Sequence, residues 1–559
     1  MKYITLITLA LISLLFGHDS TSSNNQMLYL VQSGEVEKGI ALYQDNLKTE
    51  QDHDLSVLEQ LGYILIHQGA RNKDEESQLL SMYGLSIVGS PEELRLYEIG
   101  ITSRNPHIQI ATIRFLSTIQ DDQVESLLFK AFNSPYLIAR LEAAHALSMR
   151  RSNQVTGIIN ALMQKLPPHL HVYFPELFGM IGTSEATGIL KQMINNRHLH
   201  IRLAAILAAA KFKRDDFLHD IRIATTHADQ AEQEACATAL GYLKDSHSIP
   251  LLKTLTQSEH HNVKLAACHA LVMLGEYHFR EPIINMALKK NLFAISLLAF
   301  IPDTESFLTS LLQDDNFQVQ ANSALALLRK RDPKCVPVLL KMLINNEKDW
   351  GFQPFYSLGN SLVAWKIIPS STQYAKKMQK DIHSITLALR EQILLYALEL
   401  PEKNFLHIAN TIFTHPQNDL IPLLVHLLGN TNTPNAIALL QKESHHTGAP
   451  FIRIYCHLAL YRMNHENLHR NILCDWVKSQ KNHEIFRFRF MLPWTNHIYT
   501  QNTAFQLTPE DTSRLLIETL ETLAENQDAH YIDMLLTLIR SGNVKNRYAL
   551  AGLLIKAIQ

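Results

Sequence analysis

Apolar residues along this chain recur with a helical period, and they do so in a unit that repeats. Each unit sets a basic or polar residue before small residues and closes on Ala-Leu or its equivalent. Arg140-Leu141-Glu142-Ala143-Ala144-His145-Ala146-Leu147 matches Lys264-Leu265-Ala266-Ala267-Cys268-His269-Ala270-Leu271 almost position for position, with Arg202 to Ala209 and Gln233 to Leu240 between them. The closing residues Leu116, Leu147, Phe178, Ala209, Leu240 and Leu271 follow one another at intervals of 31 residues. A fixed period of this size is the mark of a solenoid. Phe300 and Leu327 continue the series with shorter steps, and Leu398, Gly429 and Leu460 extend it more weakly. After each closing residue a brief turn leads into a second amphipathic stretch. In Ile249-Pro250-Leu251-Leu252-Lys253-Thr254-Leu255, for example, Pro250 falls in the first turn, where a missing N–H costs little. Each unit is therefore predicted to be a helical hairpin, and the whole an all-α solenoid. A single hairpin cannot bury its apolar face, so Leu147, Leu240, Leu271 and Leu327 should be buried between stacked repeats. The small residues Ala143, Ala205, Ala235 and Ala267 allow the hairpins to approach closely.

These residues resemble the HEAT-repeat superfamily, and more narrowly the short HEAT-like repeats named from phycobilisome lyases. The resemblance is clear over residues 104–343 and weaker over 386–559, where Arg453-Ile454-Tyr455-Cys456-His457-Leu458-Ala459-Leu460 is the best copy. It implies a non-catalytic protein-interaction scaffold. The bilin-lyase-like maturation activity comes with the family name alone, since no residue here points to bilin handling. It also implies that Arg140, Arg202, Lys264 and Arg453 are structural, pairing with nearby acids or carbonyls. Residues 27–103 differ: Gly34 to Tyr43 and Leu58 to Gly62 resemble fragments of tetratricopeptide helices and read as an N-terminal helical cap. Lys545 to Leu553 reads as the terminal cap that a stack of repeats requires. Two aromatic-rich, irregular segments interrupt the array. One falls in residues 344–385 and carries Trp350, Phe352 and Tyr356; the other spans 484–508 and carries Phe488 and Trp494. Long insertions in a solenoid are often functional, and aromatics equally well bury the ends of two sub-arrays.

Composition supports the helical reading. Of 559 residues 46% are apolar, while Gly and Pro number only 20 each, a low density of chain breaks. With 51 basic and 53 acidic residues the formal net charge is −2, so no global field draws nucleic acid, and nucleic acid is not an expected partner. The five cysteines cannot form a complete disulfide framework; Cys236, Cys268 and Cys456 lie in apolar helical stretches and read as buried thiols. At the N-terminus Lys2, an apolar run from Tyr3 to Phe16 and a polar stretch to Gln26 have the layout of a signal peptide or anchor (residues 1–17) followed by a linker (18–26). The expected location of a bacterial protein of this kind is the periplasm or cell envelope, or the inner membrane if the segment is retained. Membrane association is expected only through this segment.

Candidate chemistry is sparse. His465-Glu466-Asn467-Leu468-His469 fits the H-E-x-x-H pattern, in which two histidines one helical turn apart bind zinc and the glutamate activates water. Glu484 would be the third ligand by order, making a zinc metallohydrolase the one enzymatic alternative with named residues. The motif straddles a predicted turn, and Arg470 and Asn471 follow it. No catalytic set and no cofactor are otherwise assigned. The expected binding site comes from the period: 13 residues beyond successive closing positions stand Asn160, Lys191, Arg222 and Lys253. On the second helices of a solenoid such equivalent positions stack, which predicts a polar, mainly basic stripe on a concave face, suited to an acidic or extended peptide of a protein partner.

Overall fold

The computed structural model describes residues 23–47, 52–344, 350–358, 362–369, 379–415, 418–445, 450–486, 488–490, 505–507, 511–525 and 529–559. The N-terminal segment and Trp494 lie outside them. The fold is all-α, with helical hairpins in series and two short strand pairs. By contacts the chain divides into two compact units: one takes residues 147–439 with 495–502, the other residues 1–146, 440–494 and 503–559.

In the unit built on residues 147–439, first helices pack on first helices and second helices on second. Leu199–Lys211, Gln230–Tyr242 and His261–Met273 stack in order in one layer, while Ser184–Ile194 meets Leu218–Ala224 in the other. The predicted ladder is present, with Leu147, Leu240, Leu271 and Leu327 all fully buried. Phe300 departs from it. The helix Leu292–Leu297 ends one turn early, before Ile301-Pro302, so that Leu297 and Leu298 take the buried places and Phe300 is left 41% exposed. Leu398 and Gly429, the weaker copies, are only half-buried.

In several first helices the polar residue near the head has a definite task. Gln233 Nε2 donates to His227 O (2.7 Å) and Gln320 Nε2 to Asp314 O (2.6 Å), while Arg202 Nη1 reaches Asn196 O (2.9 Å). Each donor ties down a carbonyl six residues earlier, in the turn that enters its helix. Gln109 does the same to Ser103 O (2.6 Å) in the other unit. Asp229 and Asn316 cap the same helices by accepting from Glu232 N and Gln318 N. The structural pairing expected of the basic residues is thus seen at Arg202, which also forms a two-pronged bond to the buried Glu232 (2.6 and 2.7 Å). It is not seen at Arg140, whose buried Nε has no partner, and Arg453 is exposed.

The first aromatic segment, expected to be irregular, contains an antiparallel hairpin of β1 (Trp350–Leu358) and β2 (Leu362–Pro369), with a register shift between Pro354 and Tyr356. One edge of this hairpin is satisfied by a repeat helix. Asn322, buried on Phe317–Arg329, accepts from Trp365 N (2.8 Å) and donates to Trp365 O (2.8 Å), and Gln318 Oε1 accepts from Ile367 N (3.1 Å). Two amide side chains thus do what a third strand would do. Phe352 is fully buried, and its N–H donates to Thr386 Oγ1 (2.9 Å).

The other unit joins both ends of the sequence. The helix Arg547–Ile558 packs on Leu55–Ala70 and on Glu75–Val88, and Val36–Leu47 packs on Ala529–Ser541. Glycines make the first contact possible. A Cβ at Gly552 would collide with the backbone of Gly84, and one at Gly62 with Ile555. Leu550, Leu553, Leu554 and Ile555 are all buried, so the helix read as a terminal cap is interior to its unit. In the second aromatic segment, β3 (Phe488–Phe490) pairs antiparallel with β4 (Phe505–Leu507).

Candidate functional site

The line of residues picked out by the 31-residue period is real, but it is not a bare basic stripe. Lys191, Arg222 and Lys253 stand on successive second helices, and each reaches an acid further along the stack. Lys191 Nζ lies 3.3 Å from Asp220 Oδ2, and Lys253 Nζ lies 3.2 Å from Glu276 Oε2. Arg222 holds Asp245 by two bonds of 2.7 Å. The expectation of cations pointing freely into a groove is therefore corrected. A long basic side chain on one hairpin spans to the next and finds a carboxylate there, which makes the line a ladder of inter-repeat ion pairs. Asn160, at the head of the line, is half-buried.

The rungs differ in strength. The Asp245 side chain is only 2% exposed and also accepts from Ser248 Oγ. Burial works against its charge, but the hydrogen bonds from Arg222 and Ser248 outweigh burial and hold its pKa below the usual carboxylate range. This rung is a fork-to-carboxylate bond partly shielded from water. Lys253 and Glu276 have side chains 44% and 28% exposed, so their pair is solvent-screened and exchanges readily, whereas Lys191, 56% exposed, reaches an Asp220 side chain that is only 9% exposed. Lys253 also lies 6.0 Å from the centroid of the Phe279 ring. Two of the partner acids share the period of the repeat: Asp245 and Glu276 stand five residues beyond Leu240 and Leu271.

The H-E-x-x-H motif does not form a one-helix pair of ligands. His465 follows the end of Pro450–Asn464 with φ 51° and is exposed, Glu466 is the N-cap of Asn467–Ser479, and His469 turns inward in that helix's first turn. The chain bends between the two histidines, which removes the one-turn spacing that zinc binding requires. His469 instead meets His457, Nδ1 to Nδ1 at 2.9 Å, in a buried pair. Burial, with His469 adjacent, pushes the His457 pKa down to about 4. Glu484 is engaged by Lys545 Nζ at 3.3 Å. Among the described residues no group of three or more His, Cys, Asp or Glu side chains could hold a metal. Cys236, Cys268, Cys335, Cys456 and Cys474 are all buried free thiols, and burial raises Cys268 and Cys335 to about 12. Of the aromatic candidates, Trp350, Tyr356 and Phe488 stand on the strands and Phe352 is core. In the unit that joins the chain ends, a cavity of about 620 Å³ is lined by Tyr63, His67, Gln68, Arg71 and Glu93 among others, with His67 Nε2 3.2 Å from Glu93.

Stacked two-layer hairpins and the buried ladder of Leu147, Leu240, Leu271 and Leu327 together define an α-solenoid. Residues 216–281 match the family of HEAT repeats. Among solved structures it is similar to YibA of Escherichia coli (TM-score 0.24, 16% identity, over 56% of this chain and 93% of that one). It is also similar to a karyopherin bound to the extreme C-terminus of a protein phosphatase (TM-score 0.39, 13% identity, over 95% of this chain and 64% of that one). A third similarity is to UNC-45 from Drosophila melanogaster (TM-score 0.30, 12% identity, over 96% and 88%). No curated protein sequence matches the chain.

Proposed function

We propose that this chain is a non-catalytic scaffold that binds a protein partner across several repeats, and that it acts after export through its N-terminal apolar segment. The observation that carries the reading is the register of Lys191–Asp220, Arg222–Asp245 and Lys253–Glu276 along consecutive hairpins. Stacking brings equivalent charged positions into one line, and an extended partner is recognised by such repetition rather than by a single pocket. The Lys253–Glu276 rung, with side chains 44% and 28% exposed, offers both signs of charge and opens at little cost, so a segment carrying an acid and a base can replace it. Among the described residues no helix is long and apolar enough to cross a membrane.

The test is affinity capture from the native host, followed by cross-linking of the complex and mass spectrometry. Cross-links from one stoichiometric partner to Lys191 and Lys253 support the scaffold. Purification with no stoichiometric protein, or cross-links that avoid residues 184–288 altogether, sinks it. Recovery of the chain with intact Met1 from the cytosol would end the export proposal.

A further inference from the structure

The early end of the helix Leu292–Leu297 leaves Phe300 outside the buried ladder, and what surrounds it is unlike the rest of the stack. Arg329, at the end of Phe317–Arg329, places its guanidinium carbon 5.2 Å from the Phe300 ring centroid and 5.2 Å from that of Tyr396, near the end of Gln379–Ala397. Phe300 and Tyr396 are 41% and 37% exposed, and Arg329 is exposed. Beneath them His269, 4% exposed, meets Phe300 edge-on with centroids 5.9 Å apart. Three ends of first helices thus present one guanidinium between two water-accessible rings.

The charge of this patch is unbalanced. Lys330 is paired with Glu305 at 3.0 Å and Arg331 with Glu399 at 2.7 Å, but among the described residues no carboxylate pairs with Arg329. Nor is Arg329 needed to cap its own helix. The N–H groups of Lys330, Arg331 and Asp332 already donate to Ala326 O, Leu328 O and Leu327 O, closing the turn with Arg331 at φ 62°. Stacking holds a guanidinium plane while leaving its N–H edge open, which is the arrangement that receives a carboxylate by two parallel bonds. Arg and Tyr beside apolar surface are also the residues that dominate protein interfaces.

We propose that Phe300, Arg329 and Tyr396 form the anchor for an acidic segment of the partner protein: an Asp or Glu side chain on the Arg329 edge, with a neighbouring aliphatic or aromatic side chain against the two rings. This rests on the scaffold reading and adds to it the chemistry of what is bound. The occupant is an internal segment rather than a chain terminus, because the patch is open on the surface and the backbone N–H groups beside it are spent on the turn, leaving none to wrap a terminal carboxylate.

The probes are two phage-displayed libraries of random nonapeptides, one with both ends fused to linkers and one ending in a free C-terminus, selected against the full chain. The linker-flanked library should enrich Asp or Glu next to Leu, Ile or Phe. A doubly blocked synthetic peptide of the enriched sequence should bind at least tenfold more weakly to Arg329→Glu and to Tyr396→Ser, with unchanged circular dichroism. Replacing its acid by Lys should restore binding to Arg329→Glu. Enrichment in the free-terminus library alone, or equal binding of the selected peptide to wild type and Arg329→Glu, overturns the anchor. Because equal binding would still show peptide capture by the chain, that result would leave the scaffold standing. No enrichment in either library counts against both.

Discussion

Two buried titratable groups on adjacent first helices should give the stability of this chain opposing pH slopes. Glu234, on Gln230–Tyr242, is 9% exposed; burial raises its pKa to about 7, and a hydrogen bond with Asn262 only partly offsets this. The folded carboxyl therefore keeps its proton where the unfolded one, near 4.5, has lost it. Below pH 4.5 both states are protonated and the contribution is complete. As pH rises from 4.5 to about 7 the unfolded state binds fewer protons, and stability falls. At about 1.4 kcal/mol per pH unit, that window amounts to about 3 kcal/mol. Glu234→Gln keeps the shape and the hydrogen bond but does not titrate, so its stability should gain about 3 kcal/mol on wild type between these limits. His269 works the other way. Burial lowers its pKa from 6.5 to about 4, so its contribution to stability is lost as pH falls through that interval, and His269→Leu should remove that contribution. Urea denaturation followed by circular dichroism at half-unit steps from pH 4 to 8 measures both. A Glu234→Gln curve that stays parallel to wild type from pH 4.5 to 7 would show that the carboxyl is ionised in the fold and refute the reasoning.

Other outcomes follow from the packing. Leu240→Ala and Leu271→Ala, at fully buried ladder positions, should each cost about 2–5 kcal/mol in urea denaturation, whereas Leu468→Ala, at a site 63% exposed, should change stability by less than about 0.5 kcal/mol. Arg222→Ala strands the buried carboxylate of Asp245 and should cost about 3 kcal/mol; Lys253→Ala, at a screened pair, should cost less than about 1 kcal/mol, and equal losses would contradict the ranking of the rungs. Gly552→Ala pushes a methyl into the backbone of Gly84 and should destabilise by about 1–3 kcal/mol, read as a lower Tm. By contrast Gly188→Ala, with open space around it in Ser184–Ile194, should stabilise by up to about 1 kcal/mol.

The order of residues along the chain establishes the hairpin unit, its period and its buried face. Leu147, Leu240, Leu271 and Leu327 could be named as core because helix periodicity and a fixed repeat are local properties, written at the same spacing in every copy. It also located the line through Lys191, Arg222 and Lys253. What it left open was what those side chains would meet, because Asp220, Asp245 and Glu276 become neighbours only when one hairpin is set on the next. The H-E-x-x-H pattern is a weak sign for a related reason: a four-residue spacing means one face only if one helix runs through it, and the bend at His465 breaks that condition. Tertiary structure alone decided that Phe300 would leave the ladder and meet Arg329 and Tyr396, that Asn322 would serve as an edge partner for a strand, and that Gly84 would touch Gly552. Each of these joins residues far apart in the chain, through a close approach that depends on where a helix happens to end or on the absence of a side chain. Periodicity carries no record of either.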